Sequence, residues 1–207
     1  MFKTISENEV KAEIVEKKSK FIANLFYVEN VEEAENKIKQ LKKIYFDARH
    51  NCFAYSIYTK EGIVNRFSDD GEPSGTAGLP MLNVLQSQKI CNVLIVVTRY
   101  FGGILLGTGG LVRAYTGALQ EALLNTTEIE KAIGIEAYIE VPYSDLEKAK
   151  YYISKKNIKM TKFDYSENVL IYIETIGEDF NNIITSQNDL NFKIIKNGII
   201  KEKYIQI

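Results

Sequence analysis

Apolar and polar residues alternate at the start of the chain, with Val10, Ala12 and Ile14 set against Lys11 and Glu13, which predicts a β-strand. A second strand, Phe21 to Val28, follows the polar run Lys17-Lys18-Ser19-Lys20, and the two read as a hairpin. The period then changes. Val31, Ala34, Ile38, Leu41 and Tyr45 recur at helical spacing behind Asn30 and Glu33, a pair placed like a capping box. Cys52 to Thr59 is aromatic and β-branched and predicts a strand, whereas Phe67 to Gly78 is rich in Gly, Pro, Ser and Asp and predicts a loop. A short helix is expected over Leu79 to Gln88. Val93 to Thr98 is an unbroken apolar run, the pattern of a strand covered on both faces. From Leu111, the residues Tyr115, Ala118, Leu119, Ala122 and Leu123 share one side of a further helix.

Beyond Thr126 glycine nearly vanishes and Lys, Ile, Asn and Tyr dominate, so a domain boundary is expected near residues 126–132, giving domains 1–128 and 129–207. Ile133 to Val141 alternates like a strand, and Ser144 with Glu147 has capping-box spacing for a helix through Lys156. Strands are expected at Lys159 to Tyr165 and Val169 to Ile176, a weaker helix at Asp179 to Gln187, and strand structure from Phe192 to Ile205. The order βαββαβ is the ferredoxin-like split βαβ arrangement, a fold with many uses. The fold class is therefore α+β.

Composition narrows the function classes. Residues 1–130 carry 15 Lys+Arg and 16 Asp+Glu, and residues 131–207 carry 11 of each, so neither part has the basic excess of a protein that tracks along phosphates. The two cysteines, Cys52 and Cys91, form no CxxC or Cys/His set and fit a reducing compartment. No apolar run reaches the roughly eighteen residues of a membrane span, and Met1 to Lys20 mixes charged and apolar residues, unlike a secretory signal. A cytoplasmic protein with no membrane partner is expected.

Candidate chemistry concentrates between Arg66 and Leu124, where charges are few and most of the glycines lie. The pairs Gly102-Gly103 and Gly109-Gly110 are expected at turns or close backbone approaches. Gly102 and Gly107 have P-loop spacing, but Thr108 stands where the lysine belongs, and Gly107-Thr108-Gly109-Gly110-Leu111-Val112 ends on Val112 where a dinucleotide fingerprint needs glycine. Gly107 to Leu111 thus reads either as an anion site at a helix N-terminus or as tight strand-to-helix packing. Asp69, Asp70 and Glu72 are candidate acid/base or Mg²⁺ carboxylates, although Asp-Asp-Gly-Glu-Pro also spells a turn, and the turn reading takes precedence. His50 is the only histidine, which excludes a two-histidine metal site within one chain, and neither a metal nor a cofactor is expected. Arg99, Tyr100 and Arg113 make a set of cations and aromatics suited to phosphate contact and base stacking, or to packing with two surface arginines.

At these residues the sequence resembles the YigZ/IMPACT family. The order Gly78, Met81-Leu82, Leu85, Ile90, Val96-Val97, Arg99-Tyr100-Phe101-Gly102-Gly103, Leu106 and Gly107 matches the family signature, and Phe67 through Gly78 matches its acidic loop. Ser19-Lys20-Phe21-Ile22 and Ala48-Arg49-His50-Asn51-Cys52 look like family segments as well, so the resemblance covers roughly residues 15–125. It implies an N-terminal domain of the ribosomal-protein-like superfamily, similar to the fourth domain of elongation factor G. The C-terminal domain would resemble that factor's ferredoxin-like terminal domain. Eukaryotic IMPACT regulates translation through the amino-acid-starvation kinase pathway by competing for the kinase's activator, a pathway that bacteria lack.

Two functions stay open on the sequence. As a translation-linked binding protein, the chain would meet RNA, the ribosome or a translation-associated protein, with no DNA expected. It would use His50, Arg66, Arg99, Tyr100, Arg113 and the glycine loop of Gly102, Gly103, Gly107, Gly109 and Gly110. As a peptidase-type hydrolase of small substrates, it would use Asp69, Asp70 and Glu72 with His50. The lack of an activated nucleophile or a metal-ligand set favours binding.

Overall fold

Strand β6 (Val93–Tyr100), following β1 (Phe2–Ile5), β2 (Glu9–Glu16), β3 (Ser19–Tyr27), β4 (His50–Thr59) and β5 (Gly62–Ser68), explains how the N-terminal part is built. Val93, Ile95 and Val97 of β6 point to one side and Leu94 and Val96 to the other, and all are buried. A strand apolar on both faces is stable only inside a sheet that is covered on both. The computed structural model, which describes residues 1–185 and 190–206, places β6 at the centre of an antiparallel sheet of order β2-β3-β6-β4-β5. Helices α2 (Gly78–Ser87) and α3 (Thr108–Leu124) cover one face, and α1 (Val31–Ile44) covers the other with Ala34, Ile38 and Leu41. The Asn30 side chain accepts the Glu33 N–H at 2.9 Å, and the Glu33 carboxylate accepts the N–H of Glu29 at 2.9 Å, one residue before the position a capping box would use.

Some elements depart from the sequence pattern. The sequence pattern does not mark strands β1 and β5: β1 is only four residues long, too short to show a period, and β5 is an edge strand with no fully buried residue. Helix α3 begins at Thr108, three residues before the first apolar position expected, so Gly109 and Gly110 lie in its first turn instead of in a loop.

The chain divides into two compact units, Phe2–Glu130 and a second that starts at Lys131, with β7 (Glu128–Val141) running through the division. In the second unit, β7, α4 (Leu146–Lys155), β8 (Lys159–Tyr165), β9 (Val169–Thr175), α5 (Gly177–Thr185) and β10 (Lys196–Gln206) follow one another as βαββαβ. These strands run in the order β10-β7-β9-β8, each antiparallel to the next, as in ferredoxin-like folds, and β1 joins the same sheet by pairing with β7. Both helices pack on one face, through Ala149, Ile153, Phe180 and Ile183 against Ile135, Ala137, Ile139, Ile171 and Ile173. Ser144 does not cap α4. It lies in a 3₁₀ turn, Tyr143–Asp145, and the Asp145 carboxylate accepts the Lys193 N–H at 3.0 Å. The last two residues of the helix expected at Asp179 to Gln187 lie outside the described residues. Phe192 precedes β10 and is buried against Tyr152, with ring centroids 5.7 Å apart. Both units are α+β.

Candidate functional site: a buried polar network beneath a glycine loop

The C-terminal end of β6 lies between the starts of β3 and β4, with Phe21 and His50 both in register with Arg99. Because successive strand residues point to opposite faces, Arg99 joins Val97 and Ile95 on the α2/α3 side, while Tyr100 points the other way. Arg99 is therefore not a surface arginine. Its side chain is 7% exposed and its Nη1 donates to Glu72 Oε1 at 2.7 Å, where the Glu72 side chain is only 3% exposed. Its guanidinium carbon stands 5.5 Å from the ring centres of both Phe21 and Phe101. Tyr115 on α3 donates its hydroxyl to the same Glu72 oxygen at 2.8 Å.

The acidic loop is tied down residue by residue. Asp69 accepts the backbone N–H groups of Ala77 (3.0 Å) and Gly78 (2.8 Å) on one oxygen and of Gly75 (2.8 Å) on the other. It supplies the start of α2 with the carboxylate that Ala77, at the N-cap, cannot provide. Asp70 accepts the Asn51 N–H at 2.7 Å and the Lys42 ammonium at 2.6 Å. Asp70 and Gly71 both have positive φ, 40° and 87°, and the turn they form brings the Asp70 carbonyl to 3.0 Å from His50 Nδ1. A carbonyl only accepts, so Nδ1 carries the proton in this bond.

Cys52 lies on the same strand face as His50, as their two-residue spacing requires, but the two do not form a nucleophile and base pair. The thiol donates to the Asp69 carbonyl at 2.9 Å and stands 3.3 Å from the Tyr115 hydroxyl. Burial, reinforced by the nearby carboxylates of Glu72, Asp70 and Asp69, pushes its pKa up to about 12, and burial also drives that of Tyr115 upward. Both groups are neutral at physiological pH. Each acidic side chain of the loop is thus held by backbone N–H groups or cations, and no thiolate stands beside them. No group of three or more His, Cys, Asp or Glu side chains able to hold a metal occurs among the described residues.

The remaining candidates do not converge on this network. Tyr100 donates to Asp47 at 2.7 Å, a bond that pushes its pKa up to about 12, and Arg66 pairs with Glu35 at 2.7 Å. Arg113 is exposed on α3, with its Nη1 3.7 Å from where a Cβ on Gly109 would lie. The glycines have separate reasons. A Cβ on Gly102 would lie 2.0 Å from the Lys18 carbonyl group, one on Gly110 would lie 2.9 Å from Leu106 Cβ, and Gly103 and Gly107 hold φ of 84° and 72°. The loop they frame carries Phe101, Ile104 and Leu105, exposed by 52%, 43% and 83%. The backbone of Lys18 meets Gly102, so the exposed Lys17-Lys18 hairpin tip adjoins this loop. Both lysines have positive φ, 44° and 64°.

Sequence reasoning missed Tyr115, Ser19, Asn51 and Lys42 as members of the network. Tyr115 belongs to the buried stripe of α3, where a phenol on a core face already signals a polar partner. Ser19 Oγ accepts the Gly102 N–H at 3.2 Å, a contact between residues far apart in the chain that no local pattern encodes.

These features define a class: a two-unit α+β protein whose N-terminal sheet ends in a buried polar network supporting an exposed glycine loop. The chain belongs to the IMPACT family. The Impact N-terminal domain matches residues 17–123, which include both halves of the network and the loop. The IMPACT family member YvyE of Bacillus subtilis (strain 168) is 41% identical over 157 residues, 76% of this chain and 72% of its own. The IMPACT family member YigZ of Escherichia coli (strain K12) is 38% identical over 158 residues, 76% of this chain and 78% of its own. A crystal structure described as that of a hypothetical protein is 30% identical and covers 100% of this chain and 97% of its own, with a TM-score of 0.64.

Proposed function

We propose that this protein is a translation-linked binding protein that docks on the ribosome through the face formed by the Phe101–Gly107 loop, the Lys17-Lys18 tip and Arg113. Family membership supports the link to translation, since IMPACT proteins of eukaryotes regulate it. The observation that carries the choice of surface is the loop itself: Phe101, Ile104 and Leu105 are exposed, on a backbone that Ser19 holds at Gly102, while Arg99, paired with the buried Glu72, lies against the Phe101 ring. An apolar tip flanked by lysines and an arginine offers stacking and packing area together with phosphate contacts. In this reading Ser19 and Arg99 position the loop, and the contacts are made by side chains around it. No helix of the described residues is long and apolar enough to cross a membrane, and a cytoplasmic location is part of the same proposal.

Cosedimentation with purified ribosomes across a salt series tests it. Binding should weaken as salt rises, and Lys17→Ala/Lys18→Ala/Arg113→Ala and Leu105→Asp should each weaken it by about tenfold or more at low salt. Wild-type binding by both variants, or no cosedimentation of the wild type at low salt, overturns the proposal.

A further inference from the structure

Helices α4 and α5 cover one face of the C-terminal sheet, and no described element of that unit covers the other. At the centre of this second face, Tyr138 on β7 and Tyr172 on β9 are cross-strand partners, with ring centroids 6.4 Å apart. They occupy the first and third strands of the βαββαβ order. Tyr138 owes its position to Gly198, its partner on β10, because a Cβ there would lie 2.9 Å from Tyr138 Cε1. The ring therefore lies across the β10 backbone, with room for it only because that residue has no side chain.

Lysines frame the two rings. Lys159, Lys162 and Lys201 have side chains 71%, 63% and 63% exposed, Lys162 Nζ stands 5.1 Å from the centre of the Tyr172 ring, and Lys203 and Lys196 face the same way from β10. Carboxylates lie among them: Glu174 pairs with Lys159 and Lys203, Asp164 with Lys162, and Glu136 with Lys201. Glu140 accepts an N–H from Asn168 at 2.9 Å. Five lysines against four carboxylates leave a small positive excess.

We infer that this face is a second binding surface, a stacking platform for single-stranded RNA. Paired aromatic rings on the first and third strands of the βαββαβ unit suit the π-faces of two successive unpaired bases, and the lysine rim suits the phosphates between them. The inference rests on the translation-linked reading for the kind of polymer, but it uses a different unit and different residues. Because the charge excess is small, stacking must carry the affinity.

The test uses the full chain and a fluorescein-labelled oligouridylate of about ten nucleotides, long enough to cross one such sheet. Wild type should bind it and not a duplex of the same length. Raising salt from about 0.05 to about 0.2 M should weaken binding less than about tenfold. Tyr138→Leu/Tyr172→Leu should weaken it about tenfold or more, whereas Tyr138→Phe/Tyr172→Phe, which keeps the rings, should bind as wild type. Circular dichroism and thermal melting confirm that both pairs are folded before they are compared. Lys17→Ala/Lys18→Ala/Arg113→Ala leaves the platform intact and should bind the oligonucleotide normally, so failure of ribosome docking and failure of the platform are distinguishable. Undiminished binding by the leucine pair, equal loss in the phenylalanine pair, or equal binding of the duplex overturns the inference.

Discussion

Arg99 sits where a strand leaves the sheet, and its role follows from which side of the strand it occupies. An arginine beside two aromatic residues in sequence suits a nucleic-acid contact, but alternation along β6 sends Arg99 to the buried face and Tyr100 to the other. There Arg99 meets Glu72, and removing one partner of a buried pair leaves the other charge without compensation. Arg99→Ala should therefore destabilise the fold by about 3–5 kcal/mol in urea unfolding, while Arg99→Met/Glu72→Leu, which removes both charges, should recover most of that loss. Equal destabilisation by the single and double variants would show that packing, and not the charge pair, sets the cost. Arg99 is for this reason a poor choice for probing the surface, and Lys17, Lys18 and Arg113 are better ones.

At the scale of elements, the glycine loop is a joint between β6 and α3, and the β2–β3 hairpin turn is its neighbour. Sequence alone marks Gly102-Gly103 as a turn or a close approach. The structure separates the two cases: Gly103 needs its positive φ, and Gly102 needs the space that Lys18 occupies. Gly102→Ala should cost about 3 kcal/mol, because the methyl group would meet backbone, which cannot rotate away as a side chain can. Gly109→Ala, whose nearest neighbour is the flexible Arg113 side chain at 3.7 Å, should be near neutral or slightly stabilising in its helix. Thermal melts of the two variants check the contrast, and equal losses would contradict it.

Across the whole molecule, each unit has its own core, and in the second Glu174 is a largely buried carboxylate whose ionisation bears on stability. Burial raises the pKa of this carboxyl, but hydrogen bonds and charge from Lys203 and Lys159 outweigh it and hold the group below the usual carboxylate range. A pKa depressed by folding contributes stability that is present above the unfolded value of about 4.3 and is lost as pH falls through the folded value. Hydrogen-exchange protection on β9, taken relative to the intrinsic exchange rate at each pH, should therefore fall between about pH 5 and about pH 3 more steeply in the wild type than in Glu174→Gln. Parallel profiles would remove Glu174 from the account.

The α+β class, the two-sided central strand, the amphipathic helices and the βαββαβ order are legible in the amino-acid order, because they depend on periodicity and on caps and turns only a few residues long. That order also marks Asp69-Asp70-Gly71-Glu72 as a turn, since glycine and acidic residues there act on their own backbone. Strand β5 was not legible, because an exposed edge strand buries almost nothing and leaves no pattern. Three contacts come only from the folded arrangement: Asp69 serves the start of α2, Arg99 and Tyr115 meet on Glu72, and Tyr138 rests over Gly198. Each of these joins residues from different elements, where sheet register and helix packing set the distance and no local preference records it.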